Sequence, residues 1–350
     1  MRSIFSYFGK DIGIDLGTSN ILIYMKGRGI VINEPAIAAI NNKTNQVLAV
    51  GENAKNMLGR TPLHVSVIKP LVSGVISDFE MTQEVLRHLL KKANNSNSSL
   101  LNFPKVILSV PSNLTEVERK SVEEVAIASG GGKAYLVEEP IVAALGANLP
   151  IEEPTANVVV NIGGGTTEIA IISMGGTVVS KSLKIAGDNL NEEIIKFVKD
   201  EFKMIIGETT AENIKISIGS VISQGEKIEM SIRGRDVSSG LPKEAIIKGA
   251  QVRSSITKPI KIIVESVREV VEATPPELVG DMLRQGIHIC GGGALLKGID
   301  SLIAKETSIK TTIIEEPLTC VIRGIGSIVE NYNKLEYILD DPLRPKEIIL

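Results

Sequence analysis

The stretch Asn157-Val-Val-Val-Asn-Ile-Gly-Gly-Gly-Thr-Thr-Glu-Ile-Ala-Ile-Ile172 limits the possible folds more than any other. Its β-branched runs, bounded by glycine, read as two buried strands joined by a turn. Three adjacent glycines lack Cβ atoms, so the turn can take unusual backbone angles and bring N–H groups close to a ligand. Such a row of donors, with threonine hydroxyls beside it, suits phosphate. On its own it is better read as a plain hairpin.

The design recurs. Asp11-Ile-Gly-Ile-Asp-Leu-Gly-Thr-Ser-Asn-Ile-Leu-Ile-Tyr24 has the same order: apolar residues, an Asx, an aliphatic, a glycine, small hydroxyl residues and a second apolar run. Asp15 stands where the other copy has Asn161. Two copies of one unusual turn point to an internal duplication. A third turn, Ile287-His-Ile-Cys-Gly-Gly-Gly-Ala-Leu-Leu296, passes from strand towards helix, where N-terminal amides favour anions. Three phosphate-suited turns predict nucleotide binding.

The 350 residues suffice for two domains and a large core. A net charge of −3 without a basic block predicts no nucleic-acid partner. Two cysteines and three histidines offer no disulfide framework and no metal-ligand spacing, which predicts a reducing cytosol. With no apolar run of membrane-spanning length and no secretory signal, the expectation is a protein neither integral nor secreted.

Along the chain, strands are predicted at 30–40 (bent at Glu34-Pro35), 47–50, 105–110, 134–137, 177–185 and 311–314, with residues 51–73 mixing short helix and loop. Helices are predicted at 78–92, 115–129 (opened by a Thr115/Glu118 capping box), 141–147, 190–204 (capped by Asp188), 209–218 (opened by a Thr209/Glu212 box), 251–272, after Gly291–Gly293, and 321–333. Arg233–Asp236 reads as a turn between strands. The repeated order suggests two related α/β domains with a cleft between them.

Asp15-Leu-Gly-Thr-Ser-Asn20, Glu138-Glu139-Pro140, Gly163-Gly-Gly-Thr-Thr-Glu168 and Gly291-Gly-Gly-Ala-Leu-Leu296 resemble the actin-type ATPases. Within them the sequence is similar to MreB, the bacterial actin, which Asn33-Glu-Pro35, Gly74-Val-Ile-Ser-Asp-Phe79, Ala186-Gly-Asp188, Arg233-Gly-Arg235 and Glu316-Pro-Leu-Thr-Cys320 also match. The resemblance runs from about Asp11 to Glu330. It implies duplicated actin-like (ribonuclease H-like) α/β domains with four subdomains around an ATP·Mg2+ cleft. These would be a first large subdomain (1–30, 74–147 and 320–350), a small one (31–73), a second large one (148–185 and 250–319) and a second small one (186–249). It also implies paired protofilaments of the chain with itself and a cytoplasmic location on the inner face of the cell membrane. Paralogous filament proteins or membrane-bound shape proteins are the further partners that the resemblance implies.

The resemblance also assigns roles. Gly17, Thr18, Ser19, Asn20, Gly163, Gly164, Gly165 and Thr167 would hold phosphates, Gly187 and Asp188 would border them, and Gly291, Gly292, Gly293 and Ala294 would lie under the adenosine. Glu212 and Lys215 would reach the adenine or ribose. Asp15 would hold Mg2+ through water, since that ion keeps much of its hydration shell. Glu139 and Thr166 would orient the attacking water and accept its proton. Asn161 departs from the family's usual Asp and removes a charge near the metal. Loss of such an outer partner typically costs ~10–100-fold in metal affinity or activity, so slow hydrolysis is expected. The alternatives are an ATP-bound, non-hydrolysing filament scaffold and a small-molecule kinase of the same superfamily. Two apolar segments are candidates for membrane contact: Ile4, Phe5 and Phe8, an interfacial pattern between basic residues, and the loop Leu100, Leu101 and Phe103. His64, His88 and His288 are read as incidental, and Cys290 and Cys320 as core fillers.

Overall fold

The computed structural model describes residues 10–94, 103–223 and 228–339. Its frame is one sheet design used twice. In the first sheet the order is Gly131–Glu138, Phe103–Val110, Ile12–Leu16, Asn20–Met25, Gly29–Pro35; in the second it is Thr311–Ile313, Ile287–Cys290, Asn157–Ile162, Thr167–Ser173, Gly176–Leu183. In each, a central hairpin is extended antiparallel on one side and by two parallel strands on the other. The duplication read from the two glycine turns is therefore a duplication of topology. Val158, Val159 and Val160 are all fully buried, as expected of strands covered on both faces.

Between the sheets lie the helices Glu139–Gly146 and Cys320–Glu330. Their apolar cluster takes Leu22 and Ile107 from the first sheet and Val159 and Ala170 from the second. Close crossing depends on two glycines: a Cβ on Gly146 would strike the Cys320 carbonyl, and one on Gly324 the Val142 carbonyl. Each sheet also carries an excursion. After Pro35 the chain leaves the first sheet to build a three-stranded one from Ala38–Asn41, Val47–Val50 and Val65–Ile68. After Leu183 it builds Met204–Ile205, Glu229–Asp236 and Pro242–Lys248, with the helices Gly187–Phe202 and Glu208–Ile218.

Several local expectations are corrected. The Thr115/Glu118 capping box is present, but the proposed Thr209/Glu212 box is not, because the helix starts two residues earlier, with Gly207 rather than Thr209 at its N-cap. Asp188 is not a cap either: it lies inside the helix, and the Asn189 side chain accepts from the Ala186 N–H. Arg233–Asp236 belongs to a strand, since every second side chain can face solvent there, and the turn follows it. Residues 51–73 contain the strand Val65–Ile68. Thr274-Pro275-Pro276 ends the long helix Gly249–Glu272, but Pro276 then opens another, Pro276–Gln285, as proline's fixed φ allows at a first turn. The third glycine turn leads into a 3₁₀ turn, Gly292–Leu295, with the helix delayed to Ile299–Thr307.

Of the membrane candidates, Ile4, Phe5, Phe8, Leu100 and Leu101 lie outside the described residues. Phe103 is withdrawn: it is 2% exposed in the first sheet's core, which leaves no surface for lipid. No helix among the described residues is long and apolar enough to cross a membrane.

Candidate functional site

The two hairpin turns face each other. A Cβ on Gly164 would collide with the Ser19 hydroxyl, and one on Gly165 would lie 2.5 Å from the Thr18 hydroxyl. The glycines thus let hydroxyls of one turn approach the backbone of the other. Gly74 joins them: its N–H donates to Thr18 Oγ1 at 3.0 Å, and its positive φ of 77° is a conformation glycine tolerates. A Cβ there would stand 2.7 Å from Thr166 Cγ2 and 2.9 Å from Pro111. Thr18, Thr166 and the 71–76 hairpin therefore form one packed rim. Asn20 fixes the neighbouring strand by donating to Asn33 at 2.7 Å.

Beneath this rim lies an acidic floor. Asp15, at the end of the first strand, accepts from Ser109 Oγ at 3.3 Å, yet burial pushes its carboxyl up to about 6. Glu139 opens the helix Glu139–Gly146, with Pro140 next to it. Burial, then the charges of Glu168 and Asp15, hold its carboxyl well above the usual range, opposed by an N–H from Asn161 Nδ2 at 3.2 Å. Burial likewise raises Glu168, against hydrogen bonds from Ser182 and the Ser112 N–H. Carboxylates crowded in this way repel one another and favour protons. A cation would favour their ionised forms.

Among the described residues no cluster of three or more His, Cys, Asp or Glu could ligate a metal directly. That donor chemistry fits Mg2+ arriving with a nucleotide and bound through its phosphates and water. It does not fit a resident all-protein metal cage.

The third turn packs against the second. Gly291 has φ 80°, and a Cβ on it would meet the Ile162 carbonyl and lie 2.6 Å from Asn161 Oδ1; one on Gly293 would strike Ile162. Gly292 is the exposed member. Ala294 is fully buried with its N–H donating to Gly291, so it is a core residue and offers a ligand no surface. Thr167 is corrected for the same reason: it is fully buried and its hydroxyl donates to the Ile185 carbonyl at 2.7 Å.

Gly187 and Asp188 do border the second turn. Their N–H groups donate to the Gly163 and Gly164 carbonyls at 3.1 and 2.8 Å, and Lys215 Nζ donates to the Gly187 carbonyl at 3.0 Å. The two excursions meet here. Lys69 pairs with Glu208 and lies 3.8 Å from Asp188, and Lys55 lies 3.7 Å from Glu212. Sequence reading missed Lys55, Lys69, Ser109 and Glu168. Ser109 had a usable signal, since it is the one polar residue in the apolar run Val106–Val110; the lysines had none, because only the fold brings the excursions together.

With this geometry in hand, the comparisons agree. The family MreB/Mbl protein matches residues 9–337. The chain is 47% identical to the cell shape-determining protein Mbl of Bacillus subtilis (strain 168), over 94% of this chain and 98% of that protein. The crystal structure of MreB5 of Spiroplasma citri bound to ADP superposes with a TM-score of 0.88 at 40% identity, covering 94% of this chain and 99% of that one. Its AMPPNP-bound form gives 0.87 at 40% identity, covering 94% and 98%. The duplicated frame, the facing turns and these matches place the chain in the MreB/Mbl family of actin-like proteins.

Proposed function

We propose that this chain binds ATP with Mg2+ between the two facing turns, hydrolyses it slowly, and assembles into filaments attached to a membrane for cell shape or motility. The observation that carries the reading is the meeting of Thr18 and Ser19 with Gly164 and Gly165 above the floor of Asp15, Glu139 and Glu168. It is supported by relatives of known nucleotide state, the ADP- and AMPPNP-bound MreB5 structures, and by the name cell shape-determining protein that the Bacillus relative bears.

In this reading the N–H groups and hydroxyls of Gly17–Asn20 and Gly163–Gly165 bind phosphates. Gly187 and Asp188 border the phosphates, and Glu212, Lys215 and Gly291–Gly293 border the nucleoside. Asp15 holds the metal's water, and Mg2+ supplies charge neutralisation on the phosphates. Glu139 and Thr166 orient water, and Glu139 takes its proton. The four-subdomain division, with small subdomains near 31–73 and 186–249, belongs to the same reading. Membrane attachment rests on Ile4, Phe5, Phe8, Leu100 and Leu101, and is strengthened by display along a filament.

The test measures pelleting and released phosphate on the same samples with Mg·ATP, Mg·ADP and Mg·AMPPNP, with and without anionic liposomes. ATP-dependent pelleting with slow phosphate release is expected, and Glu139→Gln should cut release by ~100-fold or more while ATP still binds. A second reading, a filament that keeps its ATP, is favoured by one residue: Asn161, beside Glu139, is neutral where the Asp usual in the family would carry a charge. Pelleting with no release would select it. No pelleting under any nucleotide, lipid included, would remove the filament reading.

A further inference from the structure

We propose that Cys290 is a positioning residue for hydrolysis: its thiol fixes the Asn161 side-chain amide in the one orientation that presents an N–H to Glu139. The inference rests on the ATPase reading above.

An asparagine amide has two ends of nearly equal shape, and only its neighbours decide which way it points. Asn161 and Cys290 are partners across adjacent parallel strands, 6% and 0% exposed respectively. The thiol donates to Asn161 Oδ1 at 3.6 Å, and Asn161 Nδ2 donates to Glu139 Oε2 at 3.2 Å. With Glu139 ionised, as it must be to accept the water's proton, turning the amide over would set its oxygen against the carboxylate and its NH2 group against sulfur, a weak acceptor. Both contacts would then be poor in a buried site, where an unmet polar group is costly. The thiol has one proton to give. Its rival acceptor is Cys320, whose own proton goes to the Ala143 carbonyl at 3.2 Å; an amide oxygen is the better acceptor. The Cys320 sulfur beside it, then burial, push the Cys290 thiol well up, so the donor stays protonated at neutral pH.

The molecule holds its own control. In the first half the equivalent strand partners are Asp15 and Ser109, and the Ser109 hydroxyl donates to Asp15 Oδ1 at 3.3 Å. A donor at the end of the parallel neighbour, aimed at the floor Asx, is thus present in both copies of the fold. Because the copies share topology, the thiol's position is part of the design rather than an accident of core filling.

The test uses the full chain. Steady-state phosphate release and unfolding temperature are measured for wild type, Cys290→Ser and Cys290→Ala. Cys290→Ser keeps a donor and should hold kcat within about twofold, whereas Cys290→Ala should lower kcat about tenfold with KM little changed, as loss of an outer-shell partner does. Equal kcat in the two variants overturns the proposal. So does a loss in both that tracks the unfolding temperature, which would be a packing effect. An independent reading is the infrared S–H stretch of nucleotide-free protein carrying Cys320→Ala, which leaves Cys290 as the single cysteine of the chain's two. The band should rise in frequency when Asn161→Ala removes the acceptor; an unmoved band overturns the hydrogen bond. If wild type releases no phosphate, the hydrolysis reading fails and the infrared band still judges the contact.

Discussion

In the first half of the molecule Asp15 faces Ser109 across parallel strands, and in the second Asn161 faces Cys290. Position, register and direction of hydrogen bonding are the same, so the difference is purely chemical. One half keeps a charged acceptor with a strong hydroxyl donor. The other keeps a neutral amide with a weak thiol donor. The floor already holds Asp15, Glu139 and Glu168, each pushed towards its protonated form. A carboxylate at 161 would add a fourth like charge beside Glu139. Asparagine spares the nucleotide-free protein that repulsion and gives Glu139 a donor, and leaves the floor one negative group fewer.

The sharpest way to break the comparison is to make the first half resemble the second. Asp15→Asn should weaken magnesium-dependent nucleotide binding by ~10–100-fold, read by titration of a fluorescent nucleotide with and without Mg2+. It should also stabilise the nucleotide-free protein. A folded pKa raised from 3.8 to about 6 means that protonation favours the fold. The wild type has this favourable contribution in full below pH ~4 and loses it as pH rises through about 6. The variant's advantage should therefore be absent near pH ~4 and approach about 3 kcal/mol near pH ~8, at 1.36 kcal/mol per unit. Urea unfolding across that range checks it.

The mirror substitution, Asn161→Asp, should act with opposite sign. Nucleotide-free stability should fall by about 1–3 kcal/mol at neutral pH as a hydrogen bond to Glu139 becomes a like-charge contact. Magnesium affinity and phosphate release should rise by about tenfold if charge at 161 is what limits turnover. Unchanged magnesium response and turnover would mean that the two halves differ without consequence.

Smaller effects sharpen the picture. Gly165→Ala would place a methyl 2.5 Å from the Thr18 hydroxyl; the overpacking should cost about 1–3 kcal/mol, seen in the unfolding temperature. Ser109→Ala, which removes the donor to Asp15, should cost about 1 kcal/mol at neutral pH. That loss should shrink towards pH ~5, where Asp15 carries its own proton.

How far the chain could be read beforehand followed the physics of each element. Buried strands such as Val158–Ile162 declare themselves because burial on both faces demands continuous β-branched runs. The Thr115/Glu118 cap was legible because both its bonds are local in sequence. Thr209 and Glu212 carry the same pattern without the cap, since the N-cap lies two residues earlier, at Gly207. Phe103 was misread as a lipid contact because an aromatic beside a polar loop looks alike whether it ends a loop or begins a core strand. In the site, Asp15 and Asn161 were recognisable from the repeated turn. The donors that orient them lie on parallel strands far along the chain, and only the sheet registers bring them together. The amide's direction, and with it the role of Cys290, depends on three residues that no spacing connects.

The ion pairs of Lys55 and Lys69 with Glu212, Glu208 and Asp188 are a seam that water can reach, since none of these side chains is buried. Attraction between exposed charges is screened over about 8 Å at physiological ionic strength and over about 3 Å at 1 M. Salt therefore weakens the contact between the two excursions, while the floor is held by buried groups that salt barely touches. Nucleotide exchange should accelerate severalfold with added salt, and Lys69→Ala should remove most of that response. Residence time at the site would then follow the ionic state of the surrounding medium, a throttle separate from the chemistry beneath it.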